Sequence, residues 1–258
     1  MVLKGGWRPR STAGAIHLAL SALFAATVFL AIYVYWYPGV LFDLAGGRRL
    51  FLLIAGVDVT LGPLITFIIF VPGKRGLVFD LAVIAFVQLA ALTYGVYVLF
   101  ESRPAYIVFV KDRFELVRAN QVPEQLFEEA RGSIYDHAPV TGPKLVSARM
   151  PRDREEATRI MMSSLSGLDL QFFPRHYVAY DADRAVALAK SQPVAKLAQF
   201  NPARGAEIRQ LLEALHRRED DVRFLPMRAG KTLDLTVLLD ARSGDVLKIA
   251  SLKPWAYD

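Results

Sequence analysis

Three apolar runs in the first hundred residues, separated by short polar connections, constrain this chain more than any other feature. They extend from about Gly14 to Trp36, from about Leu50 to Val71 and from about Leu77 to Phe100. A helix needs roughly 20 mostly apolar residues to cross a hydrocarbon core, and each run is long enough. The first is preceded by Lys4, Arg8 and Arg10, as a secretory signal would be. It is predicted to remain as a span, because a signal core covers only about 7–15 residues and ends in small residues. This run ends instead in Tyr33, Tyr35, Trp36, Tyr37 and Pro38, an aromatic belt of the kind found at bilayer surfaces.

Charge divides the chain at the same place. Residues 1–103 carry eight of the 31 Lys and Arg and only four of the 25 Asp and Glu, namely Asp43, Asp58, Asp80 and Glu101. Residues 104–258 have an ordinary soluble composition, with basic and acidic side chains interleaved, which argues against a nucleic-acid partner. Membrane lipid is the partner that the apolar runs demand. Short loops rich in Lys and Arg stay in the cytoplasm. Lys4, Arg8, Arg10, Lys74 and Arg75 on one side, against Arg48, Arg49 and Arg103 on the other, predict a cytoplasmic N-terminus. Three crossings then place residues 104–258 outside the cytoplasm, in the periplasm of a Gram-negative cell.

The outer part is predicted to be a small α+β domain. Ala105–Val110 and Phe114–Val117 are β-prone and flank Lys111-Asp112-Arg113, which reads as a hairpin. Pro151–Ser164 reads as a short amphipathic helix with Ala157, Ile160 and Met161 on its apolar side. Asn201-Pro202 reads as a helix start, followed by Ile208, Leu211, Leu212 and Leu215 on one face. Leu233–Leu239 and Val246–Leu252 read as a second hairpin turned at Ser243-Gly244. These two hairpins stand at opposite ends of the domain and are expected to share one sheet. The fold class is thus three N-terminal transmembrane helices plus an α+β domain, with domains 1–103 and 104–258.

Catalytic signals are missing. The chain has no cysteine, and His17, His137, His176 and His216 are scattered without metal-ligand spacing. Gly230-Lys231-Thr232 resembles the end of a phosphate-binding loop, but Leu225 stands where that motif needs glycine. The expectation is therefore no enzyme, no catalytic residue, no cofactor and no metal.

The chemistry that is present lies within the spans. Asp58 falls eight residues into the second run, where a carboxylate costs about 2.5–3.5 kcal/mol and must face protein or water. Around it, Gly56 and Gly62 permit close helix approach, Thr60 adds a hydroxyl, and Pro63 removes the backbone bond to Val59 and is expected to kink the helix. Gly56, Asp58, Thr60, Gly62 and Pro63 are the candidate intramembrane partner-binding set, with a structural acid held inside the bundle as the competing reading. Thr27 and Tyr94 are predicted to reach the depth of Asp58. Near the cytoplasmic boundary, His17 and Asp80 are a candidate polar pair, with Asp80–Lys74 and two wet interfacial groups as alternatives.

The residues just named, together with several others, resemble the TfpX/TfpZ family of type IV pilin accessory proteins. The likeness is carried by His17-Leu18, Ser21 and Trp36-Tyr37-Pro38, and above all by the block Gly56–Thr66 with Lys74 after it. Asp80-Leu81, Gln88-Leu89, Ala91-Leu92, Tyr94-Gly95, Arg103-Pro104, Asp112-Arg113-Phe114 and Pro254-Trp255 extend it through most of the chain. The resemblance implies an inner-membrane, chaperone-like factor that acts on a cognate type IV pilin, and it implies no catalytic residue. The alternative is a membrane sensor whose outer domain binds a ligand. That reading has only Met1–Thr12 and one tight turn on the cytoplasmic side to build an output from, too little to fold alone.

Overall fold

The computed structural model describes residues 6–230 and 234–255. Lys231, Thr232 and Leu233, which entered the turn and strand readings, lie outside the described residues. The chain divides into two compact units, Met1–Ser102 and Arg103–Asp258.

In the first unit, α1 (Trp7–Tyr35), the short α2 (Leu41–Leu44), α3 (Gly47–Ile69) and α4 (Leu77–Glu101) follow one another. Among the described residues, α1, α3 and α4 are the three helices long and apolar enough to cross a membrane. The first begins ahead of the apolar run, because Pro9 sits in its first turn, where a missing N–H has no intrahelical partner to lose. Pro63 does not interrupt α3, which runs on to Ile69. α3 packs along both α1 and α4, whereas α1 and α4 share little side-by-side contact.

Those two outer helices are tied at one end. Tyr37 is fully buried, and its hydroxyl donates to the carbonyl of Leu99 at 2.9 Å. Trp36 meets Phe100 edge-on at 5.1 Å. Phe29, Tyr33 and Phe42 form a further ring cluster beside them. Part of the expected interfacial belt therefore turns inward: at this end of the bundle, ring packing and the Tyr37 bond replace contact with headgroups.

The second unit is built on one mixed sheet. Its strands are β1 (Pro104–Val110), β2 (Arg113–Arg118), β3 (Lys144–Ala148), β4 (Tyr177–Ala179), β5 (Gln192–Pro193), β6 (Val222–Arg228), β7 (Asp234–Asp240) and β8 (Val246–Ala250). Their order is β4-β3-β1-β2-β6-β7-β8, with β5 paired to β6. All seven residues of β1 are buried, which explains why its sequence is a continuous apolar run and not an alternating one. The helices of this unit are α5 (Glu124–Glu128), α6 (Arg154–Ser163), α7 (Arg184–Lys190), α8 (Val194–Phe200) and α9 (Gly205–Ala214).

Both predicted hairpins form, β1–β2 and β7–β8, and they belong to one sheet. They are not neighbours: β6 lies between them, parallel to β2 and antiparallel to β7. The amphipathic helix forms as α6, capped by the Asp153 side chain accepting from the Glu156 N–H at 2.8 Å. Ile160 is buried as expected, but Met161 is exposed, since the unit covers only a narrow stripe of this short helix. Asn201 does not cap a helix with its side chain. It is buried and clamps Lys253, accepting from the Lys253 N–H at 3.0 Å and donating to the Lys253 carbonyl at 2.8 Å. A single-turn 3-10 helix, Pro202–Arg204, intervenes before α9.

Glu115 on β2 supplies a pH prediction for this unit. Burial pushes its carboxyl up to about 7, against the pull of Arg228 and Arg113. The folded state then holds this proton more tightly than the unfolded chain does. Stability must fall as pH rises from the ordinary glutamate value toward 7 and level off above it. Urea unfolding of residues 103–258 is expected to show this slope, on the order of 1–3 kcal/mol. Glu115→Gln is expected to flatten it and to be the more stable protein at pH 8. Parallel curves for the two proteins would rule out the assignment.

Candidate functional site: a groove in the helical bundle

The inner face of α3 is set by Ala55, Asp58, Gly62 and Thr66, all buried and spaced three or four residues apart, the repeat of one helix face. Each meets a neighbour for a reason visible in its size. At Gly62 a Cβ would overlap the side-chain amide of Gln88 on α4. With only hydrogen there, the Gln88 amide reaches the backbone of α3 and donates to the Asp58 carbonyl at 3.1 Å. That carbonyl stands next to the one of Val59, which loses its helical donor at Pro63. On the other side, α1 approaches through Gly14, where a Cβ would lie 3.3 Å from the Pro63 carbonyl oxygen. Gly95 of α4 is tighter than Gly14, with Ile54 Cδ1 2.6 Å from the position of an added Cβ.

The candidate set Gly56, Asp58, Thr60, Gly62 and Pro63 therefore splits between two faces. Asp58 and Gly62 are buried and Pro63 half-buried toward the other helices, while Gly56 and Thr60 are exposed on the opposite side. An added Cβ at Gly56 would meet nothing within 4 Å, so Gly56 is not a close-approach glycine. The Thr60 hydroxyl donates to the Gly56 carbonyl at 2.6 Å, and that local bond satisfies it without a partner helix.

The predicted pair of His17 and Asp80 does not form. His17 Nδ1 lies 2.6 Å from the Thr66 hydroxyl and so joins α1 to α3. Asp80 pairs with Lys74 at 2.5 Å across the turn before α4. Each finds a partner nearer than the other: Thr66 is one helix face along from Gly62, and Lys74 is exposed in the adjoining turn. Thr27, expected at the depth of Asp58, donates to the Leu23 carbonyl of its own helix. Tyr94 is largely exposed, although it borders a depression of about 250 Å³ between α3 and α4 that Asp58 also lines.

Because α1 and α4 stay apart below their tied ends, a groove opens between them with α3 as its floor. One section, of about 240 Å³, is lined by His17, Ser21, Asp58 and Gln88 among apolar side chains. The next, of about 840 Å³, shares His17, Leu20 and Ala85 with it and continues to Arg8 and Pro72. The two sections adjoin, with Asp58 and Thr66 on the α3 floor, His17 and Ser21 on the α1 wall and Gln88 on the α4 wall among apolar side chains. Among the described residues no cluster of His, Asp or Glu is placed to hold a metal ion.

The relatives of this sequence bear on what such a bundle serves. Over 109 residues the chain is 38% identical to the fimbrial assembly protein of serogroups C1 and C2 of Dichelobacter nodosus, covering 83% of that protein and 42% of this chain. This chain belongs to the fimbrial assembly protein family. The serogroup I and serogroup E1 fimbrial assembly proteins of the same organism are 29% and 28% identical to it, each over 233 residues and 88% of the relative. No family model matches the sequence. No solved structure matches it either.

The structure of this family member also joins two motifs that stand far apart in its sequence. Arg113 of β2 lies over the ring of Trp255 at 5.9 Å, and Arg228 of β6 lies over the same ring at 5.8 Å. The Trp255 indole N–H donates to Asp234 at 3.1 Å. Reading the sequence missed Gly14, Gln88, Gly95 and Thr66 as groups that shape the bundle. The small residues Gly14 and Gly95 were visible signals; the reach of Gln88 into Gly62 was not, since it depends on which helix faces are paired.

Proposed function

We propose that this protein is an accessory factor of type IV pilus assembly, of the TfpX/TfpZ kind, that acts on a cognate pilin in the manner of a membrane chaperone. One observation carries the reading. The match to fimbrial assembly proteins takes in 87% of the chain, too much to fall on either unit alone, so both the helical bundle and the α+β unit are family features. A pilin before assembly presents one hydrophobic helix in the bilayer and a globular head outside it. A chain with helices in the bilayer and a separate folded unit has a surface for each part. The reading places the protein in the bacterial inner membrane with its N-terminus in the cytoplasm and residues 104–258 in the periplasm, supported by the Lys and Arg count of the loops. It assigns no catalysis.

Deletion of the gene is expected to lower steady-state pilin and surface piliation, and the intact chain to restore both. In the same strain, a reporter active only in the periplasm is expected to work when fused after Asp258 and to be silent when inserted at Gly73. Normal pilin levels without the protein would overturn the functional reading, and the reverse reporter pattern would overturn the placement.

A further inference from the structure

The connection from α4 to the α+β unit is two residues long. α4 ends at Glu101 and β1 begins at Pro104, so Ser102 and Arg103 reach at most about 7 Å when extended. A bilayer carries roughly 5–8 Å of headgroup layer on each face of its hydrocarbon core. The part of the unit that surrounds Arg103 is therefore held at that layer by the chain itself. Arg103 is buried. Its carbonyl accepts from the Ala119 N–H at 3.0 Å, and its Nε donates to the Pro139 carbonyl at 2.9 Å. The Tyr106 hydroxyl donates to the His137 carbonyl of the same loop at 2.8 Å. Strand pairing agrees with these bonds. β1 and β3 run parallel with Tyr106 opposite Lys144, so residues 132–143, which lead into β3, lie at the end of the sheet where β1 starts.

This loop is pinned inward at two points and apolar outward beside each. Tyr135 is buried against the rings of Tyr106 and Tyr177, and Pro139 is buried next to Arg103. Their neighbours Ile134 and Val140 are 71% and 62% exposed. Residues 132–143 contain no Lys or Arg and one acid, Asp136, which pairs with His137 at 2.6 Å. We propose that this loop is a membrane-interface anchor: Ile134 and Val140 enter the headgroup layer of the bilayer that α4 crosses and hold the α+β unit at the lipid surface. Interfacial segments seat their apolar side chains at about this depth, 5–10 Å into the headgroup and acyl boundary. Lys144, exposed where the loop joins β3, suits anionic headgroups. A protein occupant fits less well. A helix is about 10–12 Å across, more than the roughly 7 Å that the connection leaves, and a second copy of this chain meets the same limit. Either orientation of the spans brings the loop to lipid.

The chain has no cysteine, so single cysteines report on one site each. Full-length protein carrying Ile134→Cys, Val140→Cys or Met150→Cys is labelled with the environment-sensitive fluorophore NBD and reconstituted into phosphatidylethanolamine–phosphatidylglycerol vesicles. Met150 is 41% exposed and stands two residues past β3, at the far end of the sheet, about 20 Å away at 3.3 Å per residue along β1. Its label corrects for the affinity of the dye itself for lipid. Emission from the two loop labels is expected to shift to the blue. Lipids with a nitroxide in the headgroup or high on the acyl chain are expected to quench it several-fold more than emission from Met150→Cys. Equal quenching at all three sites, or none at the loop, would overturn the proposal. The same labels are followed in membranes of the piliated host. Loop labels shielded there from a water-soluble quencher, yet out of reach of the nitroxide lipids in vesicles, would assign the loop to a protein partner and overturn it as well.

Discussion

Tyr180→Ala is expected to destabilise the α+β unit by about 3–5 kcal/mol, the range for removing a large buried ring, and to break its cooperativity. Tyr180 follows β4, at one edge of the sheet, yet it is 2% exposed and packs on Phe109 and Phe114 of the first hairpin. Its hydroxyl donates to the Gly244 carbonyl at 2.7 Å, in the turn of the second hairpin. Burial pushes the phenol up to about 12, so it remains a neutral donor at any physiological pH. Gly244 has φ +74 and approaches the Arg184 carbonyl so closely that a Cβ would stand 2.8 Å from its oxygen. This contact matters because the two halves of the sheet are joined by short pairing only. β2 meets β6 at Phe114↔Met227 and Glu115↔Arg228, and each half has its own apolar cluster, one around Tyr106 and Val146 and one around Phe224 and Leu238. A domain of this size has about 5–15 kcal/mol in hand. Residues 103–258 are therefore expected to melt in one transition, and the Tyr180→Ala protein in two or at a much lower temperature. Tyr180→Phe removes only the hydroxyl and is expected to cost about 1–2 kcal/mol while keeping a single transition. A Tyr180→Ala protein that melts like the wild type would mean that the halves are coupled elsewhere.

The spans and the two hairpins were legible because their signals are local. A run of twenty apolar residues, or a β-prone segment ended by Lys111-Asp112, needs no knowledge of what lies opposite. What was not legible is how faces pair. The sequence placed Gly56 and Gly62 together as small residues, but six positions on a helix are about 240° apart at 3.6 residues per turn, so one faces its neighbours and the other does not. His17 and Asp80 were matched by depth alone, whereas hydrogen bonding depends on which sides of α1, α3 and α4 meet. The same limit hid β6. Val222–Arg228 carries Pro226 and two arginines, and proline argues against a central strand. Here Pro226 lies in the antiparallel pair with β7, opposite Thr236, and β2 pairs only with Met227 and Arg228 on the other side, so the missing N–H falls outside the β2–β6 ladder. Asn201 was read as a cap from its neighbour Pro202, but its partner Lys253 is far along the chain, and no local pattern announces it.

Asp58→Leu is expected to abolish most surface piliation while leaving the protein in the membrane at wild-type level or above. The two halves of this expectation come from the same residue by different routes. A carboxylate at that depth costs about 2.5–3.5 kcal/mol on insertion scales, so an apolar replacement makes the bundle itself easier to insert. Gln88 donates to the Asp58 backbone carbonyl, a bond that leucine retains, so the α3–α4 contact at Gly62 survives the substitution although the bond between the Gln88 and Asp58 side chains is lost. What leucine removes is the acceptor on the floor of the groove. Asp58→Asn keeps a group of the same shape with a carbonyl oxygen to accept a hydrogen bond, and it is expected to retain most piliation. A purely structural acid predicts the opposite ordering in the level of protein, with leucine poorly accumulated because the bundle has lost a bond. Immunoblots of membranes, set beside pilus counts by electron microscopy, separate the two. Wild-type piliation from both variants at normal protein level would remove Asp58 from the site. Attention would then move to Gly62, where alanine displaces the Gln88 amide.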